Sequence, residues 1–250
     1  MNEVQPHIRC GAEAAVRYTV LPGDPERVKR AGRFLTDVTE LAVNREYKSI
    51  VGSYEGVRIM VMSTGMGGAS TGIAVEELRR IGVDVMIRIG SCGALQPDIR
   101  LGDLIIANGA VRDEGASKAY IEGIYPAVPD SELMFAVIEA AKDRQFSYHV
   151  GTIRSHDSFY TDREDEIDRY WSSKGILGAD METAALFTIG ALRGVKTASI
   201  LNTVVTYQGN LEAGVNQYAD GTGLMMQGEE HEILTAFETC VRMERQRLNK

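Results

Sequence analysis

A stretch of small and polar residues follows an apolar run of the chain, and its cation and glycines could meet an anion. It runs from Arg88 to Asp98, between the apolar run 83–89 and the strand-like run 104–107, and contains a cation, a hydroxyl and two glycines. Glycines permit unusual backbone conformations and let main-chain N–H groups approach an anion closely. We therefore predict a tight turn at the end of a buried strand. Arg88 should face a negative group there, either a bound anion or an internal carboxylate.

A second segment that favours an anion, a junction between a strand and a helix, lies near the N-terminus. The short strand pattern 18–21 is followed by Gly23, Asp24 and Pro25, which suit a turn, a helix N-cap and a first helical position. Helix N-termini carry partial positive charge and attract anions. Arg27 lies in the first helical turn and opposes that charge, so it either serves a ligand or lies solvated on the helix surface.

Acidic and aromatic residues further along the chain could bind the uncharged part of a ligand. Asp180 and Glu182 precede an apolar helix, where one capping carboxylate is sufficient. Glu182, placed in the first turn, is therefore either a second cap or a ligand for hydroxyl groups such as those of a sugar. Phe159 and Tyr160 follow a strand, and they either stack on a planar ligand or pack in the core.

Two features that resemble familiar motifs are rejected. The glycine-rich turn 65–68 lacks the third glycine of a dinucleotide fingerprint, because Ser70 occupies its position, and it lacks the lysine of a P-loop. Cys92 has no histidine near it in sequence, so we expect it to pack rather than to act as a nucleophile.

The composition indicates an ordinary globular protein. The chain has 250 residues, a net charge of −8, 44% hydrophobic residues and 25% charged residues. The negative charge argues against a general nucleic-acid or membrane-surface binder, and no apolar run is long enough for a membrane span. The N-terminus has no signal-peptide character, and the three cysteines are widely spaced, so we expect a cytoplasmic protein with reduced thiols.

Strand and helix patterns alternate along the whole chain, which predicts one mixed α/β domain over residues 1–250. The patterns place a β-hairpin turn at Glu55-Gly56, an irregular segment over 111–129, a polar loop over 207–223 and a closing helix over 225–247.

Seven short motifs, taken in chain order, resemble those of a known family. They are Gly23-Asp24-Pro25-x-Arg27, Asn44-Arg45-Glu46-Tyr47, Ser63-Thr64-Gly65-Met66-Gly67, Arg88-Ile89-Gly90-Ser91-Cys92-Gly93, Gly102-Asp103, Phe159-Tyr160 and Met181-Glu182. Over nearly its whole length the chain resembles the hexameric purine nucleoside phosphorylase and uridine phosphorylase family. The resemblance implies an α/β fold with a mixed central sheet, partly closed into a barrel and flanked by helices.

The resemblance also implies a reaction and a role for each residue. Inorganic phosphate, a co-substrate, would attack C1′ of a nucleoside and release the base, with no metal or organic cofactor. Phosphate would be held by Gly23, Arg27, Arg88, Ser91 and a neighbouring subunit's Arg45, ribose by Met181, Glu182 and a neighbouring subunit's His7, and the base by Cys92, Gly93 and Phe159. Arg88 and Glu182 would be catalytic. Because two of these residues would come from a neighbour, we expect a hexamer built as a trimer of dimers.

The segment that follows the last predicted strand favours a pyrimidine substrate. Purine members carry an aspartate there that protonates the leaving base, whereas residues 201–208 contain no Asp or Glu. A uracil can leave with its charge on carbonyl oxygens, so hydrogen bonds suffice. Uridine members recognise uracil with a Gln and an Arg shortly after Phe-Tyr, and this chain lacks that Gln. We therefore predict Arg163 and Gln208 as contacts to the base.

Other functions remain open from the sequence. A purine nucleoside phosphorylase could work without the aspartate, acting on inosine, guanosine or adenosine. A nucleosidase would use water, and it would not need Arg27, Arg45 and Arg88 together. A nucleoside-binding protein with little turnover would explain the missing acid.

Overall fold

The computed structural model describes residues 4–14, 16–219 and 223–249, and within these ranges the chain forms nine strands and seven α-helices. In chain order they are β1 Tyr18–Pro22, α1 Pro25–Gly32, β2 Thr36–Asn44, β3 Tyr47–Tyr54, β4 Val57–Met62, α2 Gly68–Ile81, β5 Val85–Ala94, β6 Leu104–Asp113, α3 Ser131–Asp143, β7 Tyr148–His156, α4 Glu164–Ser172, β8 Gly178–Asp180, α5 Thr183–Leu192, β9 Lys196–Val205, α6 Leu211–Ala219 and α7 Leu224–Leu248.

All described strands belong to one mixed sheet that closes partly on itself. The strand order is β2-β3-β4-β1-β5-β8-β7-β6-β9, and β9 also pairs with β5. Strands β5, β8, β7, β6 and β9 therefore form a closed ring, and β1 to β4 extend from it as an open sheet. The predicted fold class, a mixed α/β sheet partly closed into a barrel and flanked by helices, is confirmed.

Two hydrophobic cores lie on the two faces of the sheet. One packs α2 and α5 against it through residues such as Leu78 and Phe187, and the other packs α1, α3 and α7 through residues such as Val28, Val137 and Phe237. Every residue of α5 from Thr183 to Gly190 is buried, which explains why its sequence is apolar on all sides.

Strand β5 lies at the centre of the sheet, and it corrects the predicted turn at Arg88. The strand continues through Ala94, and the chain bends only from Gln96 onwards. Its backbone is paired in parallel with β9 from Val85 to Gly93. Because the strand supplies these hydrogen bonds, neither Gly90 nor Gly93 changes the chain direction; Gly90 instead makes space for a neighbouring side chain.

The predicted polar loop over 207–223 is also wrong, because α6 Leu211–Ala219 lies within it. The helix packs on β9 through Val215 and Tyr218, and Glu212, Asn216 and Gln217 interrupt its apolar residues, so it lacks a strong apolar repeat. It approaches β9 closely at Gly214, where a Cβ would lie 2.7 Å from a side-chain carbon of Val205.

Two further segments differ in part from the sequence prediction. The segment 111–129 is ordered: β6 continues to Asp113, and the Arg112 guanidinium donates to the carbonyl oxygens of Ile121 and Tyr125 at 2.9 and 2.7 Å. Strand β2 was not predicted because most of its side chains are exposed, which removes the alternation that marks a half-buried strand. The hairpin at Glu55-Gly56 is confirmed, with both residues at positive φ.

Candidate active site

A cleft of about 1260 Å³ opens where the carboxyl ends of β1, β5 and β9 meet the start of α1, the N-terminal side of α5 and helix α6. It is lined by most of the predicted site residues: Gly23, Arg27, Arg88, Ser91, Cys92, Gly93, Phe159, Met181, Glu182 and Gln208. Three predicted residues, His7, Arg45 and Arg163, do not line it. The cleft therefore brings residues from both ends of the chain to one place.

Arg88 is buried in the cleft wall and bound by two carboxylates. Its Nε donates to Asp180 Oδ2 at 2.9 Å, and its Nη2 lies 2.6 Å from Glu182 Oε2. Asp180 is fixed in turn by the hydroxyls of Ser155 at 2.5 Å and Thr183 at 2.6 Å. Arg88 therefore has the internal carboxylate partners that one interpretation expects, and it also lines an open cleft.

Gly90 gives the Arg88 side chain the space that it occupies. A Cβ at Gly90 would lie 2.4 Å from Arg88 Nη2, closer than non-bonded atoms approach. Residues two apart on a strand share one face, so the guanidinium folds back over the glycine. A glycine is required here to place Arg88, and not to turn the chain.

Arg27 is buried rather than solvated, and helices α6 and α7 supply its side-chain partners. Its Nε donates to Glu229 Oε2 at 2.9 Å and its Nη1 to the Ile89 carbonyl oxygen at 3.3 Å. Its Nη2 donates to the Tyr218 hydroxyl, whose ring also lies beneath the guanidinium at 5.5 Å. Burial alone would lower the pKa of Arg27, but these acidic groups raise it, so the side chain stays cationic.

Two buried glutamates of α7, Glu229 and Glu232, pack against Arg27 behind the cleft wall, and the sequence analysis missed them. They lie one helical turn apart on the face that packs on the sheet, where neighbours such as Ile233 and Phe237 are apolar. Charged residues inside an apolar helical stripe are the signal that could have identified them.

Glu182 faces the cleft because another residue caps the helix behind it. The prediction that Glu182 lies in the first turn of the helix is wrong, since α5 begins at Thr183 and the Asp180 carboxylate accepts the Thr183 N–H at 3.0 Å. Glu182 Oε1 instead accepts the Gly67 N–H at 2.6 Å across the cleft. Burial raises the pKa of Glu182, although Arg88 opposes the shift.

The other end of the cleft combines apolar residues with a wall of acidic residues. Cys92, Phe159 and the end of β9 lie there, together with carboxylates of α4 that sequence analysis did not select: Glu164, Asp165 and Asp168. Burial raises the pKa of both Glu164 and Asp168. Burial also raises the pKa of Cys92 to about 12, so its thiol is not a nucleophile at neutral pH.

The predicted residues His7 and Arg45 lie close to each other outside the cleft of their own chain. The His7 Nδ1 is 2.6 Å from Glu77 Oε1, and its carbonyl oxygen accepts from Asn44 Nδ2 at 2.7 Å. Arg45 follows Asn44 at the tip of the β2–β3 hairpin, exposed and at a φ of 55°. Arg163 lies at the start of α4 and donates from Nε to Glu166 at 2.9 Å.

The described residues offer no alternative centre of metal chemistry and no membrane span. No group of three or more His, Cys, Asp or Glu side chains in residues 4–14, 16–219 and 223–249 is arranged to hold a metal ion. Over the same ranges, no helix is long and apolar enough to cross a membrane.

Comparison with known proteins agrees with this geometry. Residues 17–220 match the family model described as the phosphorylase superfamily. The chain is 40% identical to the guanosine phosphorylase of Halorubrum lacusprofundi, covering 86% of this chain and 88% of that protein. It is 43% identical to the uridine phosphorylase of Thermococcus kodakarensis, covering 79% and 76%. The crystal structure of uridine phosphorylase from Vibrio fischeri ES114 superimposes with a TM-score of 0.89 at 49% identity, covering 95% and 97%.

Proposed function

Since the chain belongs to the phosphorylase superfamily, we propose that it is a uridine phosphorylase, which cleaves uridine reversibly with phosphate. The chain is a pentosyltransferase of the nucleoside phosphorylase type. The observation that carries the proposal is the cleft itself, which has two buried arginines at one end, a buried glutamate in the middle and an aromatic residue at the other end. These groups match an anion, a sugar and a planar base in that order.

The anion end supplies and orients the nucleophile. Arg27, Arg88, Ser91 and Gly23 hold inorganic phosphate, and the Arg45 of a neighbouring subunit completes the site. A phosphate oxygen attacks C1′ of the ribose, the C1′–N1 bond breaks, and its electron pair leaves on the base. Cations fixed before the reaction need no reorganisation during it, and the bound phosphate stabilises the positive charge that develops on the sugar.

The sugar lies between the two ends. Glu182 accepts from the ribose hydroxyls, and Met181 packs against the ring. In the structure Glu182 contacts Arg88 and the Gly67 N–H. A bound phosphate would take the place of Glu182 on Arg88, and the ribose hydroxyls would then donate to Glu182. The His7 of a neighbouring subunit contacts the 5′-hydroxyl.

The base lies on Phe159, beside Cys92 and Gly93. Uracil leaves as an anion whose charge spreads over its carbonyl oxygens, and Gln208 and Arg163 donate hydrogen bonds to it. Gln208 already lines the cleft. Arg163 would have to exchange its partner Glu166, an exposed pair that contributes little to stability.

A guanosine phosphorylase is the second candidate, and the acidic wall on α4 favours it. Carboxylates are acceptors only, and guanine presents N–H donors along the edge that would face Glu164, Asp165 and Asp168. Uracil presents one donor between two acceptors, so it uses such a wall less well. The related guanosine phosphorylase of Halorubrum lacusprofundi supports the same alternative.

The remaining expectations are part of the proposal. Phosphate is a co-substrate, and the reaction uses no metal or organic cofactor. The enzyme is a hexamer, a trimer of dimers, acts in the cytoplasm, and has no nucleic-acid or membrane partner.

Ultraviolet detection of free base tests the function directly. Uridine, thymidine, guanosine, inosine and adenosine are each incubated with the enzyme, with and without phosphate. We expect phosphate-dependent release of uracil, lost by at least about a thousandfold in Arg88→Ala and kept in Arg58→Ala, a control at an exposed arginine of β4. Release of guanine in preference to uracil would establish the second candidate. Release without phosphate would indicate a nucleosidase, and binding without release a binding protein.

A further inference from the structure

The buried carboxylate of Glu232 packs against Arg27 and has fewer hydrogen bonds than its neighbour Glu229. Its side chain is fully buried on α7, and its Oε2 accepts the Gly90 N–H at 2.9 Å. Its Oε1 lies 3.3 Å from Arg27 Nη1 but makes no hydrogen bond, although it is buried. One oxygen of a buried carboxylate therefore faces a cation without a complete contact, which is costly for an ionised group.

The neighbouring Glu229, unlike Glu232, accepts several side-chain hydrogen bonds. Glu229 accepts from Arg27 Nε at 2.9 Å and from Arg30 Nη2 at 3.0 Å, and also from the Tyr218 hydroxyl. Burial would raise the pKa of Glu229, but these donors lower it below its ordinary value. Burial raises the pKa of Glu232 to about 8, because Arg27 and Arg88 offset only part of the loss of water.

The titratable groups around Glu232 come from four elements. They are Arg27 and Arg30 of α1, Arg88 and Cys92 of β5, Tyr218 of α6 and Glu229 of α7. The arginines stay charged, while Cys92 and Tyr218 stay neutral because burial raises the pKa of each. Glu232 is therefore the group in this set whose charge changes between neutral and alkaline pH.

A phosphate ion at the anion end would compete with Glu232 for the same cation. Arg27 Nη1 lies 3.3 Å from the unpaired Glu232 oxygen, and Arg27 lines the cleft. Two anions on one buried guanidinium repel each other strongly in a low dielectric. A neutral carboxyl group removes that repulsion and leaves the cation to the ligand.

We propose that Glu232 is a positioning residue that links phosphate binding to a proton: its neutral form leaves Arg27 to phosphate, and its ionised form competes with phosphate for Arg27. The inference rests on the proposed function, since it takes Arg27 as part of a phosphate site. Above the pH at which Glu232 ionises, each phosphate that binds brings one proton from solvent onto the Glu232 carboxylate. No bond other than this O–H forms or breaks.

The pH dependence of the KM for phosphate tests the proposal. We expect the KM of the wild-type enzyme to rise by up to about tenfold per pH unit above the Glu232 pKa, because only the protonated fraction binds. Glu232→Gln, a permanent neutral analogue, should have a KM for phosphate that stays flat between about pH 8 and about pH 9.5. Glu230→Gln, a control at the exposed neighbour on α7, should follow the wild type. A KM that rises equally in Glu232→Gln would overturn the proposal.

Calorimetry with the wild-type enzyme provides a second test that does not depend on the variant folding. Phosphate is titrated at alkaline pH in two buffers with different heats of ionisation, and infrared difference spectra are recorded alongside. We expect proton uptake on binding and a new carbonyl band from a protonated carboxyl group. Phosphate binding without proton uptake would refute the role of Glu232 and leave the proposed function intact. An absence of phosphate binding at any pH would instead refute the proposed function, and the inference with it.

Discussion

Arg88, a cation in a central strand, is stable because it has carboxylate partners and enough space for its side chain. Arg88 has carboxylates on two sides and a glycine beneath it, and Asp180 is itself held by two hydroxyls and a helix N-terminus. Removing one partner from such a buried network leaves the other charge unpaired, which is more destabilising than the pair is stabilising. Arg88 is therefore positioned to meet an anion with little movement.

The substitution Gly90→Ala tests this positioning at the scale of one methyl group. The new Cβ would displace the Arg88 guanidinium, since it would otherwise lie 2.4 Å from Nη2. We expect kcat/KM for phosphorolysis to fall by about a hundredfold, as for other small displacements of a catalytic group. Steady-state kinetics at saturating nucleoside measure the effect.

Gly109→Ala provides a matched control on strand β6, where the added Cβ would lie 3.6 Å from its nearest neighbour, an ordinary contact. Its activity should match that of the wild type. Unchanged activity in Gly90→Ala would show that Arg88 does not depend on the space above this glycine.

Residue types alone identified several residues of the site. They did not identify residues whose partners are distant in sequence. Arg88, Arg27 and Glu182 could be identified because a charged residue beside an apolar run or a helix N-terminus requires a ligand or a partner of opposite charge. Glu229 and Glu232 stand about 200 residues further along the chain than Arg27, and no local pattern connects them to it. Only the packing of α7 on the sheet brings the three together.

Among the elements, α2 holds the N-terminal arm through one buried carboxylate. Glu77 accepts the N–H groups of His7 and Ile8 at 3.0 and 2.9 Å, as well as the His7 ring nitrogen. The arm has little regular structure of its own, so this carboxylate fixes where His7 lies. If His7 serves a neighbour's ribose, Glu77 sets the position of that contact.

We predict that Glu77→Gln raises the KM for the nucleoside by about tenfold, the equivalent of one lost charge-assisted hydrogen bond. The amide oxygen can replace Oε2, which accepts both backbone N–H groups, but the NH₂ would then replace Oε1, which lies 2.6 Å from the His7 ring nitrogen. The KM for phosphate should change little, because the arm does not line the cleft of its own chain. Glu76→Gln, the adjacent residue paired with Arg193, is the control. A rise in the phosphate KM of equal size would contradict the assignment.

The central elements were predictable and the peripheral ones were not. Apolar runs and glycine turns identified β1, β5, β9, α5 and α7, because burial imposes a strong pattern on such elements. Strand β2 and helix α6 lie at the surface and bury few side chains, so their sequences lack the hydrophobic repeat from which a strand or a helix can be predicted. The turn predicted at Arg88 is wrong because a glycine in a sequence does not show whether it turns the chain or makes room for a neighbouring side chain.

At the scale of the whole molecule, two of the predicted site residues lie away from the cleft of their own chain. The cleft contains its own arginines, whereas His7 and Arg45 lie together at another edge of the same chain. A two-fold assembly that places this edge over a partner's cleft would complete both sites at once. The hexamer that we propose contains three such pairs.

Mixing two inactive variants tests this arrangement. Arg45→Ala and Arg88→Ala subunits, each nearly inactive alone, are unfolded and refolded together in equal amounts. We expect activity to return to about a quarter of the wild-type value, because a random mixed dimer has one complete site of two. Refolding each variant alone provides the control. If the mixture stays as inactive as its components, Arg45 does not act across a subunit boundary.

The covalent geometry of β5 fixes the dimensions of the ligand. Arg88, Gly90 and Cys92 share one face of this strand, and their spacing places Arg88 and Cys92 about 13 Å apart along it. The Arg88 guanidinium lies over Gly90, two residues before Cys92, so the backbone sets the separation between the proposed anion and base ends at about 7 Å along the strand. Preference for a base can change at Cys92 without disturbing the anion. A ligand with a longer spacer between its charge and its ring would require residues inserted into β5, and inserting one would turn every later side chain to the opposite face.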